Sequence, residues 1–344
     1  MTAATASTRS GAATGDVTLH HQVAGRVLRA SVDLVGGGLR ALSFGGVDIV
    51  ETYPAGSAAP YCSGAILFPW PNRVRDGRWT QRGVGHELVI TEVERGNANH
   101  GLVLNTPFVI ERQTESEVAV SVSVAPQPGY PFQLRLRVTY RLTDGGLEVD
   151  CRVTNQSGWP APVALGVHPY LRIGQCPTAD LTVQVAAGTY LEVDAQLIPT
   201  GERPVTDTAI DLRAPRMLGG IELNTCFGHL DVVDGRSRTI IAAPNGREVD
   251  LWADISFGYV QIYTCPTFPR STSTGLALGV LVADRDGCGS ALLAESATAP
   301  VSSASDEHPL TSTEATTTAV THVVNRNIGN PPGYGFLAAS VPFS

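Results

Sequence analysis

The sequence predicts an all-β protein, a large antiparallel β-sandwich, and three observations carry that expectation. Between Val17 and Thr264, short runs rich in Val, Leu and Ile recur, divided by Gly, Asn and Asp. In the clearest of them, apolar and polar residues alternate with the period of a half-buried strand. No long amphipathic helix interrupts the series, so sheets must pack on sheets.

Taken in order, residues 1–16 are mostly Ala, Thr, Ser and Gly and read as a disordered leader with no apolar h-region. Strands follow at Val17 to Val23, Arg26 to Leu34, Leu39 to Phe44, His86 to Val93, Pro107 to Glu111 and Val118 to Val124. In Gln133 to Leu142, Arg135, Arg137, Thr139 and Arg141 alternate with Leu134, Leu136, Val138, Tyr140 and Leu142. Asp144-Gly145-Gly146 turns the chain, and Leu147 to Thr154 returns as the hairpin partner. Further strands are expected at Leu181 to Val185, Tyr190 to Val193, Thr239 to Ala243, Glu248 to Ala253 and Tyr259 to Thr264. From about Ser271, Ser, Thr and Ala dominate and strand alternation fades. The expected division is therefore a leader (1–16), a β-sandwich (17–270) and a divergent C-terminal segment (271–344), in part disordered.

Composition narrows the function. All 24 basic residues are arginine. The absence of lysine excludes Schiff-base chemistry and a Walker-type phosphate loop, which need a lysine amine. A formal net charge of -8 argues against a nucleic-acid partner. No window approaches the roughly 18 apolar residues of a membrane span. Six cysteines (Cys62, Cys151, Cys176, Cys226, Cys265, Cys288) show no metal-ligand spacing and suit a reduced compartment, so a cytoplasmic location is expected.

Three stretches carry chemistry. In Pro162-Val163-Ala164-Leu165-Gly166-Val167-His168-Pro169-Tyr170-Leu171, an apolar run ends at a histidine held against proline. Proline biases His168 to extended backbone, placing the ring where a sheet opens to a pocket or to solvent. Its ordinary pKa near ~6.5 suits proton transfer at neutral pH, and a histidine simply satisfied at a turn is the alternative. In Phe68-Pro69-Trp70-Pro71-Asn72-Arg73-Val74-Arg75-Asp76-Gly77-Arg78-Trp79, two prolines and a tryptophan predict a rigid non-strand segment fixing Asn72 and Arg73. A guanidinium so held suits sugar oxygens, whereas a loosely held one is merely solvated. In Arg95-Gly96-Asn97-Ala98-Asn99-His100-Gly101-Leu102, a histidine sits in a polar loop with little side-chain bulk, as a sugar site needs.

FPWPNRVRDGRW, NANHGLV, NQSGWPAPVALGVHPYL, LEVDAQLIPTG and FGYVQIYT, in this order and spacing, resemble the aldose 1-epimerase (galactose mutarotase) family over roughly Val17 to Pro269. The resemblance implies a β-supersandwich, no cofactor and no metal, and interconversion of the α and β anomers of a free hexose. On the family pattern His168 resembles the general acid, His100 the second sugar-binding histidine, and Asn72 with Arg73 the substrate-binding pair. The reaction removes a proton from the anomeric hydroxyl while another group protonates the ring oxygen, each partner contributing about 10²–10⁴-fold. As acid, His168 should then have a carboxylate or carbonyl on its far side to hold its proton. Trp70 or Tyr170 either stacks on the sugar or packs in the core.

Two departures from the family pattern matter. The family's base is a glutamate in a segment resembling E-P-M-T-x-P. Glu295, followed by Ser296, Ala297, Thr298, Ala299 and Pro300, keeps that spacing without the Pro and Met. Either an insertion precedes a catalytic strand bearing Glu295, or the C-terminal segment has drifted and the base is lost. At Asn224 the family usually carries a substrate-binding Asp, and the amide still hydrogen-bonds a hydroxyl without charge. The alternatives to a mutarotase are a sugar-binding or regulatory homologue without a base, and a hexose-6-phosphate epimerase using Arg73, Arg75 and Arg78. His20, His21, His229, His308 and His322 receive no role.

Overall fold

The computed structural model describes residues 15–269, 274–283, 314–317 and 324–325. The strands are β1 (Asp16–Val23), β2 (Arg26–Asp33), β3 (Leu39–Phe44), β4 (Val47–Asp48), β5 (Ala65–Leu67), β6 (Arg73–Arg75), β7 (Arg78–Gln81), β8 (Val84–Glu87) and β9 (Asn97–Asn99). Next come β10 (Val109–Gln113), β11 (Glu117–Val124), β12 (Leu134–Thr143), β13 (Gly146–Asn155), β14 (Gly166–His168), β15 (Tyr170–Leu171), β16 (Thr182–Val185), β17 (Ala187–Val193) and β18 (Pro199–Pro204). The chain continues through β19 (Arg216–Met217), β20 (Asn224–Leu230), β21 (Arg236–Ala242), β22 (Glu248–Asp254), β23 (Tyr259–Pro269), β24 (Thr274–Ala283), β25 (Glu314–Thr317) and β26 (Val324–Asn325). Among the described residues, the helical turns are two three-residue 3-10 pieces, Pro60–Cys62 and Thr178–Asp180.

Every strand pairing within the sheets is antiparallel, as the hairpin-rich sequence predicts. β1-β2-β3-β4 form one sheet, β10-β11-β12-β13-β25 a second and β19-β16-β21-β22-β26 a third. The largest sheet runs β18-β17-β20-β23-β24-β14-β5, with β15 also on β24. The ribbons β6-β9 and β7-β8 stand apart from these sheets.

Alternation decides which face meets the core. On β12, Leu134, Leu136, Val138, Tyr140 and Leu142 are buried while Arg135, Arg137 and Arg141 point outward. The outward arginines meet acidic partners across the sheet, Arg135 with Glu111 two strands away at 2.6 Å and Arg141 with Glu117 on the adjacent strand at 2.5 Å. Such exposed pairs contribute at most about 1 kcal/mol each, against about 1.5–3 kcal/mol for each fully buried Leu or Val beneath them. The buried faces merge into one apolar cluster reaching from Leu19 through Phe108, Val120 and Tyr140 to Leu251 and Ile262.

Three segments depart from the sequence reading. The run expected from His86 to Val93 is a strand only to Glu87. Beyond it Leu88 alone is buried, and Val89 and Val93 project into solvent, 75% and 78% exposed. The stretch around Asn72 is not strand-free, because Arg73–Arg75 pairs with Asn97–Asn99 and Arg78–Gln81 pairs with Val84–Glu87. Asp76 (φ 52°) and Gly77 (φ 64°) make the turn between them. Thr274–Ala283, where alternation fades, lies in the middle of the largest sheet, between β23 on one side and β14 with β15 on the other.

Candidate active site

β14 carries His168 to the end of a strand and stops there. Its partner strand β5 lies alongside, His168 opposite Ala65, and the His168 carbonyl accepts the Gly64 N–H at 2.7 Å. Pro169 ends the ladder, and β15 resumes one residue later with Tyr170 opposite Gly279. The His168 ring is 8% exposed and stacks on Tyr170, with centroids 5.3 Å apart and planes at 15°. The proline-locked histidine thus stands at the end of a strand paired on both sides, where the sheet opens to a cavity.

Two loops meet opposite His168, one from the β5–β6 connection and one following β9. The His100 N–H donates to the Asn72 carbonyl at 2.9 Å, and the Asn72 N–H donates to His100 Nδ1 at 3.1 Å. Both residues adopt left-handed backbone, Asn72 at φ 56° and His100 at φ 62°, which the reciprocal bonds hold in place. Because Nδ1 accepts, the network assigns the proton of neutral His100 to Nε2, which can donate to a ligand oxygen. The two imidazoles lie edge to face with centroids 5.9 Å apart.

Arg73 is fixed by a carboxylate the sequence reading did not single out. Its Nε and one terminal nitrogen donate to the two oxygens of Glu92 at 2.7 and 2.9 Å, and its other terminal nitrogen donates to Asn72 Oδ1 at 3.1 Å. Glu92 also accepts from Arg95 at 3.0 Å and from the Asn97 amide at 3.2 Å. Burial alone would raise its pKa, but these hydrogen bonds and the two guanidinium charges outweigh it and bring the carboxyl to about 2.

Asn72, Arg73, His100, His168 and Asn224 converge on one cavity of about 310 Å³, the lower end of the range for small-molecule sites. Tyr61, Cys62, Arg95, Asn99, Tyr170, Leu197, Gln261 and Tyr263 complete its described lining. Asn224 Oδ1 accepts from the Gln261 side chain at 2.8 Å, so that amide pair forms one wall. Gln261 and Tyr263 lie two apart on β23, inside the FGYVQIYT segment; their shared face was the available signal. Tyr61 sits at φ 50° in a 3-10 turn and bonds Thr267, a position nothing in its local sequence announces. Trp70 is buried among core residues near Tyr130, whereas Tyr170 lines the cavity. Glu295 lies outside the described residues, as do His308 and His322.

The electrostatics differ from the expectation for His168. Burial lowers its pKa to about 4, and a main-chain hydrogen bond, which acts the other way, offsets only part of that. Of the two far-side groups expected, no carboxylate among the described residues acts on the ring and a main-chain group does, and the balance favours the neutral imidazole. His100 is lowered further, to about 3, by burial and then by the neighbouring His168 and Arg73. Tyr170 and Tyr263 are pushed upward by burial and remain neutral hydroxyl donors. Of the cysteines, Cys62, Cys151, Cys176 and Cys265 are free thiols, while Cys226 is disulfide-bonded, unlike the reduced set expected.

Comparison with known proteins gives the family and the fold. The chain is 28% identical over 250 residues to the uncharacterized protein YihR of Escherichia coli, covering 72% of this chain and 79% of that one. It is 37% identical over 166 residues to galactose mutarotase of Rattus norvegicus, but the match spans only 45% of this chain and 46% of the mutarotase. Among solved structures, a galactose mutarotase-like protein from Clostridium acetobutylicum superposes with a TM-score of 0.69 at 15% identity, covering 91% of this chain and 99% of that one. A GalM/aldose epimerase homologue from C. elegans gives 0.67 at 18% identity, covering 78% and 89%. At those identities the superpositions speak for the fold alone, and they agree with the packed antiparallel sheets. The family model for aldose 1-epimerase matches residues 18–319, most of the chain, and this protein therefore belongs to the aldose 1-epimerase family.

Proposed function

We propose that this protein binds a free, neutral hexose such as galactose or glucose and interconverts its α and β anomers. The observation that carries the reading is the convergence of Asn72, Arg73, His100, His168 and Asn224, drawn from separate segments, on one cavity. In this reading His100 Nε2–H, the Asn72–Arg73 pair and the Asn224 amide hold sugar oxygens, and Tyr170 offers its ring to the apolar face of the sugar. His168, once protonated, passes a proton to the ring oxygen as the C1–oxygen bond opens, and a carboxylate, for which Glu295 is the sequence's candidate, takes the proton of the anomeric hydroxyl. Rotation of the C1 carbonyl and reclosure give the other anomer.

The hexose-phosphate alternative finds less support. Arg75 is bonded to Asp194 at 2.6 Å and Arg78 faces Glu87, and neither lines the cavity. Arg73 and Arg95 do line it, but both are bonded to Glu92.

A specific observation favours a second reading, a sugar-binding homologue without turnover: no carboxylate occurs among the described lining residues. Polarimetry of freshly dissolved α-D-galactose and α-D-glucose separates the two. The mutarotase reading expects acceleration above the spontaneous rate, a loss of about 10²-fold or more in His168→Ala, and a comparable loss in Glu295→Gln. An unchanged rate in Glu295→Gln removes Glu295 as base. Saturable sugar binding with no acceleration by the wild type makes the binding reading the correct one.

A further inference from the structure

The floor of the cavity is a single cross-strand row. Asn224 on β20 lies opposite Tyr263 on β23, Tyr263 opposite Gly279 on β24, and Gly279 opposite Tyr170 on β15. Directly opposed residues of antiparallel strands present their side chains to the same face. Asn224, Tyr263 and Tyr170 all line the cavity, so the face of the fourth member is the cavity face as well. That member is glycine. A Cβ built at Gly279 points at the two rings beside it, 3.1 Å from Tyr170 Cζ, 3.2 Å from Tyr170 Cε1 and 3.4 Å from His168 Cε1. A side chain at position 279 would thus start on the cavity face, against the Tyr170 and His168 rings, and this chain puts none there.

We propose that position 279 is the seat of the proton acceptor in this cavity, left open by glycine, and that turnover of a bound aldose rises when a carboxylate is supplied there. This inference rests on the aldose reading above but not on Glu295. A carboxylate at that place has two effects on the same reaction. It takes the proton of the C1 hydroxyl. Its charge, set beside the His168 ring, also stabilises the imidazolium and so provides the proton for the ring oxygen, which burial alone withholds. The step balances without a co-reactant: the hydroxyl proton goes to the carboxylate, the C1–ring oxygen bond breaks as the C1 carbonyl forms, and the ring oxygen takes the His168 proton. Reclosure on the opposite carbonyl face returns both protons.

The experiment supplies the carboxylate in two ways. Gly279→Glu is compared with the isosteric Gly279→Gln and with the wild type by polarimetry on α-D-galactose. Galactose binding is followed in each by tryptophan fluorescence or calorimetry. The side chain needs the Tyr170 ring to give by a few tenths of an ångström, so folding is checked by circular dichroism. The second arm needs no substitution: sodium formate is titrated into the wild-type protein against sodium chloride at equal ionic strength, with the protein-free rate in formate subtracted. The expected result is a rate about tenfold or more above wild type in Gly279→Glu but not in Gly279→Gln, and a saturable rise with formate. The proposal is overturned if folded, galactose-binding Gly279→Glu shows no gain and formate adds nothing to the wild-type rate. It is equally overturned if the wild type is already active and Glu295→Gln abolishes that activity, since the acceptor then comes from elsewhere. Failure of the wild type to bind galactose or glucose at all removes the aldose reading itself, a result distinct from both.

Discussion

Two imidazoles share the cavity wall, and burial holds both as neutral bases, His100 at about 3 and His168 at about 4. In the unfolded chain both return towards ~6.5, so between that pH and about 4 the unfolded chain binds more protons than the folded one. The contribution to stability is therefore complete above about pH 6.5 and is lost as the pH falls through the window to the folded values. Thermal unfolding followed from pH 7 to pH 4 should show a falling Tm, and His168→Gln should flatten part of that slope. A slope unchanged by the substitution would mean that His168 is not held neutral. Glu92, with its carboxyl at about 2, adds its own loss only at lower pH. At this scale the sequence was informative wherever a functional group announced itself: His168 beside its proline, His100 in its glycine-flanked loop, Asn72 and Arg73 between prolines. It was silent at Gly279, because a residue without a side chain gives no chemical signal until the cross-strand register places it. The charge state of His168 was likewise not legible, since it depends on what surrounds the ring in three dimensions.

The β5–β6 and β9 loops act as one element. Besides the Asn72–His100 bonds, the Leu102 N–H donates to the Phe68 carbonyl at 2.8 Å. Gly101, between His100 and Leu102, has φ +76° and lies so close to Phe68 that a Cβ would stand 2.2 Å from its carbonyl oxygen. Gly101→Ala should therefore cost about 1–3 kcal/mol or more in stability and, by spreading the two loops, weaken galactose binding more than a comparable loss elsewhere in the fold. Melting temperature and a galactose titration on the same protein check both parts, and a variant with native Tm and native affinity would show that the loops are not clasped. Long strands such as β11, β12 and β13 were legible because their own alternation fixes them. The three-residue strands β6 and β9 were not, because each exists only through its pairing with the other, about two dozen residues away. Thr274–Ala283 was missed for a related reason. Its run of small and apolar residues suits a strand with neighbours on both sides, and such a strand shows little alternation.

On the scale of the molecule, one apolar cluster joins the sheets, and Trp70, Trp79 and Phe257 belong to it alike. The described sandwich should therefore unfold as a unit: tryptophan fluorescence and far-ultraviolet circular dichroism, followed in urea, should give coincident transitions. Separated midpoints would indicate two independently stable halves. The antiparallel class, the absence of long helices among the described residues and most of the buried faces could be read from the residues, since hydrophobic alternation reports them directly. The order of strands in the largest sheet could not, because neighbours there are far apart in sequence. That order has a consequence for synthesis. β14 and β23 are both complete before Thr274–Ala283, the strand between them, has been translated. The sheet is finished from its middle, so the growing polypeptide passes through a stage in which two exposed ladders of main-chain donors and acceptors await an insert one strand wide. In that interval a segment of another nascent chain can compete for the same slot, which makes the late arrival of ten residues the step at which correct folding and aggregation part company.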